Sequence, residues 1–429
     1  MRDPGRRERT VLYGLSAVGA LALVSWSYRA LAPEFADVAP DRLPYDDEGG
    51  PKLAELAAHL GVPLLEGNRI ELLVNGDEIF PSMLSAIEGA QQSINLLSYI
   101  YWEGEIAEHF ADALSAASRR GAQVRVLLDA VGAQRMDPAL IARMEDAGCM
   151  IAWFNPVRWY SLSRFNHRTH RKVLVVDGRI GFTGGVGIAD EWTGDAQDPD
   201  HWRDDHFRFE GPVVRYLQGA FVENWRQANG EVLTGENVFP ELEPAGEAHM
   251  SVINTGPVGA TSAIGFSYWL MFHDARERIY VATPYYVPDP DLEIGLSTAA
   301  RRGLDVRLLV PNDYQDSRFV RYASQTWYRE LLEAGVRVYE YQPTMMHVKT
   351  VSVDREWAIV GSANFDSRSF ELNFEIAVAV VDSPFIQTLD ASFEEDLRHA
   401  REITLEEVEN RSWMQRARDQ LARMLREQL

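Results

Sequence analysis

The pattern His-x-Lys-x4-Asp occurs twice in this chain of 429 residues, as His170, Lys172 and Asp177 and again as His347, Lys349 and Asp354. Seven positions after each Asp stands a run of small residues: Gly184-Gly185 in the first copy, Gly361-Ser362-Ala363-Asn364 in the second. The surroundings repeat too. The β-like run Ser93–Tyr101 has a counterpart in Arg278–Tyr286, and the strand Val124–Leu128 has one in Val306–Val310. The helix end Ala116-Ala117-Ser118-Arg119-Arg120-Gly121 matches Ala299-Ala300-Arg301-Arg302-Gly303, with the two glycines 182 residues apart. That period is too long for a solenoid, and apolar strand runs alternate with helical periodicity inside it. The chain is therefore expected to be a duplicated α/β protein. Its units span residues 69–240 and 251–395, joined at 241–250.

The residue types in the motif point to phosphoryl chemistry. Val173–Val176 and Val351–Val353 are β-formers, so His and Lys at i and i+2 project from one face of a strand, about 7 Å apart at their bases. An imidazole and an ammonium so placed can reach the same phosphoryl group. Asp177 precedes a glycine and suits a hairpin turn, which gives Asp177 and Asp354 a turn-fixing role with a catalytic role as the alternative. Lysine usage sharpens the reading. All but three of the 42 basic residues are arginine, and two of the three lysines, Lys172 and Lys349, stand at the equivalent motif positions, the third being Lys52. Lysine's compact charge and arginine's planar fork are not interchangeable where a small group must approach closely.

Composition narrows the alternatives. Sixty-four acidic residues against 42 basic ones give a net charge of −22, unsuited to tracking nucleic acid by charge. The single cysteine, Cys149, excludes an intramolecular disulfide framework and a cysteine-cluster metal site. Between Asp146 and Asp177, however, there is no acidic residue, while Arg158, Arg164, Arg168, Arg171 and Lys172 interleave with Trp153, Phe154, Trp159, Tyr160 and Phe165. Trp153 and Phe154 read as core. Trp159, Tyr160 and Arg164 read as an interfacial loop at an anionic lipid surface.

Arg2, Arg6, Arg7 and Arg9 precede the uncharged run Val11–Tyr28, which as a helix would reach about 27 Å. Residues 1–33 are therefore expected to be a membrane anchor, or alternatively a cleaved signal with a site at Ala30-Leu31-Ala32. In both cases the basic flank stays in the cytoplasm and the rest is exported. Residues 34–68 read as a solvated linker and lead-in, and 396–429 as a C-terminal amphipathic helix.

The paired motifs resemble those of the phospholipase D superfamily. The flanking segments His167–Asp177 (HRTHRKVLVVD), Gly184–Trp192 (GGVGIADEW), Trp202-Arg203-Asp204-Asp205-His206, Thr283–Asp289 (TPYYVPD) and Gly361–Glu375 (GSANFDSRSFELNFE) resemble bacterial cardiolipin synthases. The resemblance covers about Arg69 to Leu429. It implies two pseudo-symmetric mixed-sheet units around one active site, with no metal or other cofactor. It also implies a phosphatidyl-histidine intermediate, with His170 as nucleophile and His347 as acid and base. Lys172, Lys349, Ser362 and Asn364, with the backbone at Gly184, Gly185 and Gly361, would hold the phosphoryl group. Glu375 in the second unit and Asp204 in the first, with Asp205 as its alternative, would orient the histidines.

The implied reaction moves a phosphatidyl group from phosphatidylglycerol to a lipid alcohol; the alternative is a phosphodiesterase using water, with a nuclease as its weaker form. The implied partners are anionic phospholipid and a membrane, not nucleic acid. The implied location is a bacterial cytoplasmic membrane, with the catalytic part on its exported face. One departure stands out: Gly187 occupies the place of an expected Asn and Gly185 that of Ser362, which predicts a roomier first half around His170. Of the nearby histidines, His206 reads as a pocket residue and His167 and His201 as structural or solvated.

Overall fold

The repeated apolar runs become the strands at the centre of each half. The computed structural model describes residues 52–156, 167–256, 263–288, 290–412 and Gln415, all inside one unit that runs from Asp46 to Leu429. The first half supplies β1 (Leu65–Val74), β2 (Ser93–Ser98), β3 (Gln123–Asp129), β4 (Met150–Phe154), β5 (Val173–Val176), β6 (Ile180–Gly184) and β7 (Asp205–Glu210). The second supplies β8 (Ala248–Asn254), β9 (Arg278–Ala282), β10 (Tyr286–Val287), β11 (Asp305–Pro311), β12 (Arg337–Tyr341), β13 (Thr350–Val353), β14 (Trp357–Gly361), β15 (Phe365–Asp366), β16 (Ile376–Val381) and β17 (Ala400–Ile403). Strands β2 and β9 are buried at every position, as expected of parallel strands covered on both faces.

β1 and β8 pair antiparallel at a central seam. Outward from it the halves have the same order, β1-β7-β6-β5-β2-β3-β4 on one side and β8-β16-β14-β13-β9-β11-β12 on the other, with β17 added at the far edge. The inner strands are antiparallel and the outer ones parallel, so each half is a mixed sheet. The seam draws on both segments expected to be connectors: the lead-in forms the helix Leu53–Leu60 and the start of β1, and the 241–250 joint ends in β8. Below the seam a shared core joins Phe207, Phe209, Leu217 and Phe221 of the first half to Ile376, Val378, Phe385 and Leu389 of the second. At about 2 kcal/mol per fully buried large apolar side chain, this core ties the halves into one body.

The segment after residue 396 departs from the single amphipathic helix expected there. The helix Ser383–Arg398 ends, β17 then pairs antiparallel with β12, and the short helix Leu405–Glu409 follows behind a Thr404/Glu407 capping box. The alternating charges that read as a helix face instead make cross-strand pairs, Arg337 with Glu402 and Arg401 with Glu340, and Arg401 also pairs with Glu407 of the short helix. Residues 413–414 and 416–429 lie outside the described residues, as do the expected anchor at 1–33 and Trp159, Tyr160 and Arg164. Among the described residues no helix is long and apolar enough to cross a membrane.

Candidate active site

Two short bridges between the halves build the site. Thr169 pairs with Phe374, and Arg203 pairs with Met346. The backbone N–H of His170 donates to the carbonyl of Phe374 at 2.9 Å, and that of His347 donates to the carbonyl of Arg203 at 2.7 Å. Each bridge sets a motif histidine beside the residue that follows its partner on the opposite half. As a result the carboxylates are exchanged. His170 Nδ1 lies 2.9 Å from Glu375 Oε1, and His347 Nδ1 lies 2.8 Å from Asp204 Oδ2. Each imidazole is oriented by a carboxylate from the other half of the chain, not from its own.

The carboxylates are held in turn. Ser362 Oγ donates to Glu375 Oε2 at 2.6 Å, and the Trp192 indole N–H donates to Asp204 Oδ2 at 2.8 Å. Lys172 Nζ donates to the carbonyl of His170 at 2.9 Å. Lys349 Nζ donates to the carbonyl of His347 at 2.7 Å and lies 3.1 and 3.2 Å from its two ring nitrogens. His170, Lys172, His347 and Asn364 line a cavity of about 590 Å³, with Tyr99 edge-on to His170 and Trp192, Trp202 and Tyr285 around His347. Among the described residues no group of three or more His, Cys, Asp or Glu is placed to hold a metal ion.

Burial sets the protonation states. It lowers His170 to about 4 and His347 to about 3, reinforced by the nearby lysines and only partly opposed by the carboxylates. Burial and the Lys349 charge lower Lys172 to about 7, and burial lowers Lys349 to about 8. For Glu375 and Asp204 burial acts upward, but His170 and His347 respectively, with the lysines, bring both below the ordinary carboxylate range. At neutral pH each pair is thus a neutral imidazole donating from Nδ1 to a carboxylate, which leaves the Nε2 lone pair for chemistry.

A family model described as "Cardiolipin synthase, PLD-like domain" matches residues 83–196 and 270–397, once in each half. The chain belongs to that family. It is 38% identical over 396 residues to the cardiolipin synthase of Geobacillus kaustophilus, covering 91% of this chain and 78% of that one. It is 34% identical to the probable cardiolipin synthase YwiE of Bacillus subtilis, covering 86% and 73%. In fold it matches the crystal structure of phosphatidylserine synthase from Haemophilus influenzae, with a TM-score of 0.68 over 88% of this chain and all of that one at 16% identity. It is an enzyme of the phospholipase D superfamily.

Within this family site the remaining sequence-predicted residues fall into distinct places. Asp177 and Asp354 point away from the cavity. Asp177 accepts the backbone N–H groups of Gln91, Gln92 and Ser93, and Asp354 accepts those of Arg276, Glu277 and Arg278. Each sits at positive φ, 53° and 54°, in the turn of its hairpin and pins the start of the neighbouring antiparallel strand, β2 or β9. Ser362 is spent on Glu375 and on the backbone, so it positions the carboxylate and does not line the cavity. Asp205 and Asp396 share Arg203, which leaves Asp204 as the partner of His347.

The glycines make close approaches. A Cβ at Gly361 would stand 2.2 Å from the Ile376 carbonyl, and one at Gly184 would stand 2.7 Å from His206 Cα. The roomier first half predicted from Gly185 and Gly187 is absent: a Cβ at Gly185 would stand 2.2 Å from Asp204 Oδ1, and one at Gly187 2.8 Å from Ile100 Cβ. The exchanged carboxylate fills that space.

His206 is buried with Nδ1 unpartnered and lines a small gap with Lys172 behind the motif strand. His201 pairs with Asp198 at the surface, and the His167 carbonyl accepts from Asn155. Tyr99, Trp192, Trp202, Tyr285 and Asn373 were not expected as cavity residues, although all five lie inside the segments that carry the repeat and the resemblance.

Proposed function

We propose that this chain is a phosphatidyl transferase that moves a phosphatidyl group from phosphatidylglycerol to a lipid alcohol through a phosphatidyl-histidine intermediate on His170. The observation that carries the reading is the pair of imidazoles facing one cavity, each held at Nδ1 by a carboxylate from the opposite half. His170 Nε2 attacks phosphorus, and Glu375 stabilises the positive charge that grows on the ring. Lys172, Lys349 and the Asn364 side chain neutralise the phosphoryl oxygens. Burial keeps His347 neutral at pH 7. A bound phosphodiester anion offsets the lysine charges that hold its pKa down, so it takes up a proton from solvent as the substrate binds and gives that proton to the departing glycerol. It then removes the proton of the incoming alcohol, whose oxygen displaces His170 from phosphorus.

The reading is tested by mass spectrometry of lipids after incubation with phosphatidylglycerol in detergent micelles. Cardiolipin and glycerol in equal amounts are expected. Phosphatidic acid as the main product would assign water as the acceptor and a hydrolase instead.

A further inference from the structure

The two sides of the cavity differ. Beside His170 stands Tyr99, with a centroid separation of 5.0 Å. Beside His347 a tryptophan wall leads outward: Trp192 at 5.4 Å and Trp202 at 5.8 Å, then Trp102 at 6.2 Å from Trp192. At its far end the Arg135 guanidinium lies over the Trp102 ring, 4.1 Å from the centroid. Both line the same cavity as the histidines.

Arg135 sits on a built support. Asp129, fully buried, accepts the N–H groups of Val131 and Gly132 at the start of its loop and the N–H of Thr169 next to His170. Gly132 packs so close to Tyr99 that a Cβ would stand 2.2 Å from its carbonyl, and the Trp102 indole donates to the Gly132 carbonyl at 2.8 Å. The rim loop and the strand of His170 are thus fixed to each other through one carboxylate. Among the described residues Arg135 forms its ion pair with Glu191, at 3.7 Å and half-exposed, a contact weak enough for another anion to replace.

We propose that Arg135, stacked on Trp102, binds the phosphate of the acceptor lipid, which replaces Glu191 as its partner, and so selects an anionic lipid alcohol over a neutral one. The assignment rests on the transferase reading above, in which His347 deprotonates the acceptor. A lipid alcohol entering along the tryptophan wall brings its hydroxyl to His347 while its own phosphodiester remains behind, where a fixed cation is needed. Guanidinium suits this because it pairs with a phosphate in a planar fork while lying on an indole face.

The test uses the full chain with labelled phosphatidylglycerol in micelles, excess unlabelled phosphatidylglycerol as anionic acceptor and 1-butanol as neutral acceptor. Both products arise from one intermediate, so the ratio of cardiolipin to phosphatidylbutanol reports the acceptor step alone. Arg135→Met is expected to lower that ratio about tenfold, as loss of a charged hydrogen bond would. Arg135→Lys should recover part of it, and Glu191→Gln should raise it. An unchanged ratio in Arg135→Met, or a fall equally matched by Glu191→Gln, overturns the assignment. Phosphatidylbutanol without cardiolipin from the unsubstituted chain overturns the acceptor site, whereas phosphatidic acid in place of both products refutes the transferase reading itself.

Discussion

Replacing Glu375 by Gln tests the exchange of carboxylates between halves. The amide keeps the size of the side chain: its oxygen accepts from His170 Nδ1 where Oε1 stood at 2.9 Å, and its NH2, in the place of Oε2, donates to Ser362 Oγ, whose own proton turns to the Ile376 carbonyl, so the charge is the main loss. That charge matters when His170 attacks and its ring becomes cationic. Two unit charges about 4 Å apart at an effective dielectric constant near 20 interact by about 4 kcal/mol. The first chemical step should therefore slow by about 10³-fold. The assay is a rapid-quench burst with a phosphatidyl ester of nitrophenol, a leaving group that departs without a proton. Asp204→Asn, whose partner is His347, should leave this burst within about tenfold and fail with natural phosphatidylglycerol. A normal burst in Glu375→Gln, or an equal loss in Asp204→Asn, would refute the reasoning.

Lys172→Arg and Lys349→Arg should each lose at least about 10² in kcat, since a displacement of about 1 Å of the phosphoryl group costs that much; near-normal rates in either would show that charge alone suffices. The pH profile of kcat/KM should fall on the alkaline side as Lys172, at about 7, and Lys349, at about 8, lose their protons, and on the acid side as His170, at about 4, gains one. Because burial depresses both imidazoles below their unfolded value, their contribution to stability is present above pH 6.5 and is lost as pH falls toward 4, which chemical denaturation at stepped pH measures. Gly185→Ser, which would mimic Ser362, should not restore a missing donor but displace Asp204 and lower turnover by at least about 10², since the added Cβ falls 2.2 Å from its Oδ1; full activity in that variant would mean that the carboxylate has room to move.

What could be read from the sequence was local or periodic. The His-x-Lys pairs, the equal spacing to Gly184 and Gly361, the buried runs of β2 and β9 and the Asp177 turn all express themselves within a dozen residues. The partners of the histidines do not. Glu375 lies 205 positions from His170 and Asp204 lies 143 from His347, and their pairing depends on bridges formed only when the halves meet. Gly185 misled for the same reason. A glycine in sequence reads as space, and only the fold shows the Asp204 carboxylate standing in it. Ser362 looked like a phosphate donor because its hydroxyl is free to the eye, yet Glu375 claims it. After residue 396 the Arg and Glu alternation fits a helix face and an edge strand alike, and the open edge of β12 decided between them.

The central claim, that the intermediate forms on His170, is tested most directly by trapping it. The enzyme is mixed with phosphatidylglycerol, quenched during turnover in denaturant at alkaline pH to preserve a P–N bond, digested, and its peptides are weighed. A phosphatidyl adduct on the peptide containing His170, absent in His170→Ala and accumulating in His347→Ala with an activated ester, is the predicted result. An adduct on His347 with none on His170 would reverse the roles of the two halves, and no adduct on either during steady turnover would contradict the covalent mechanism.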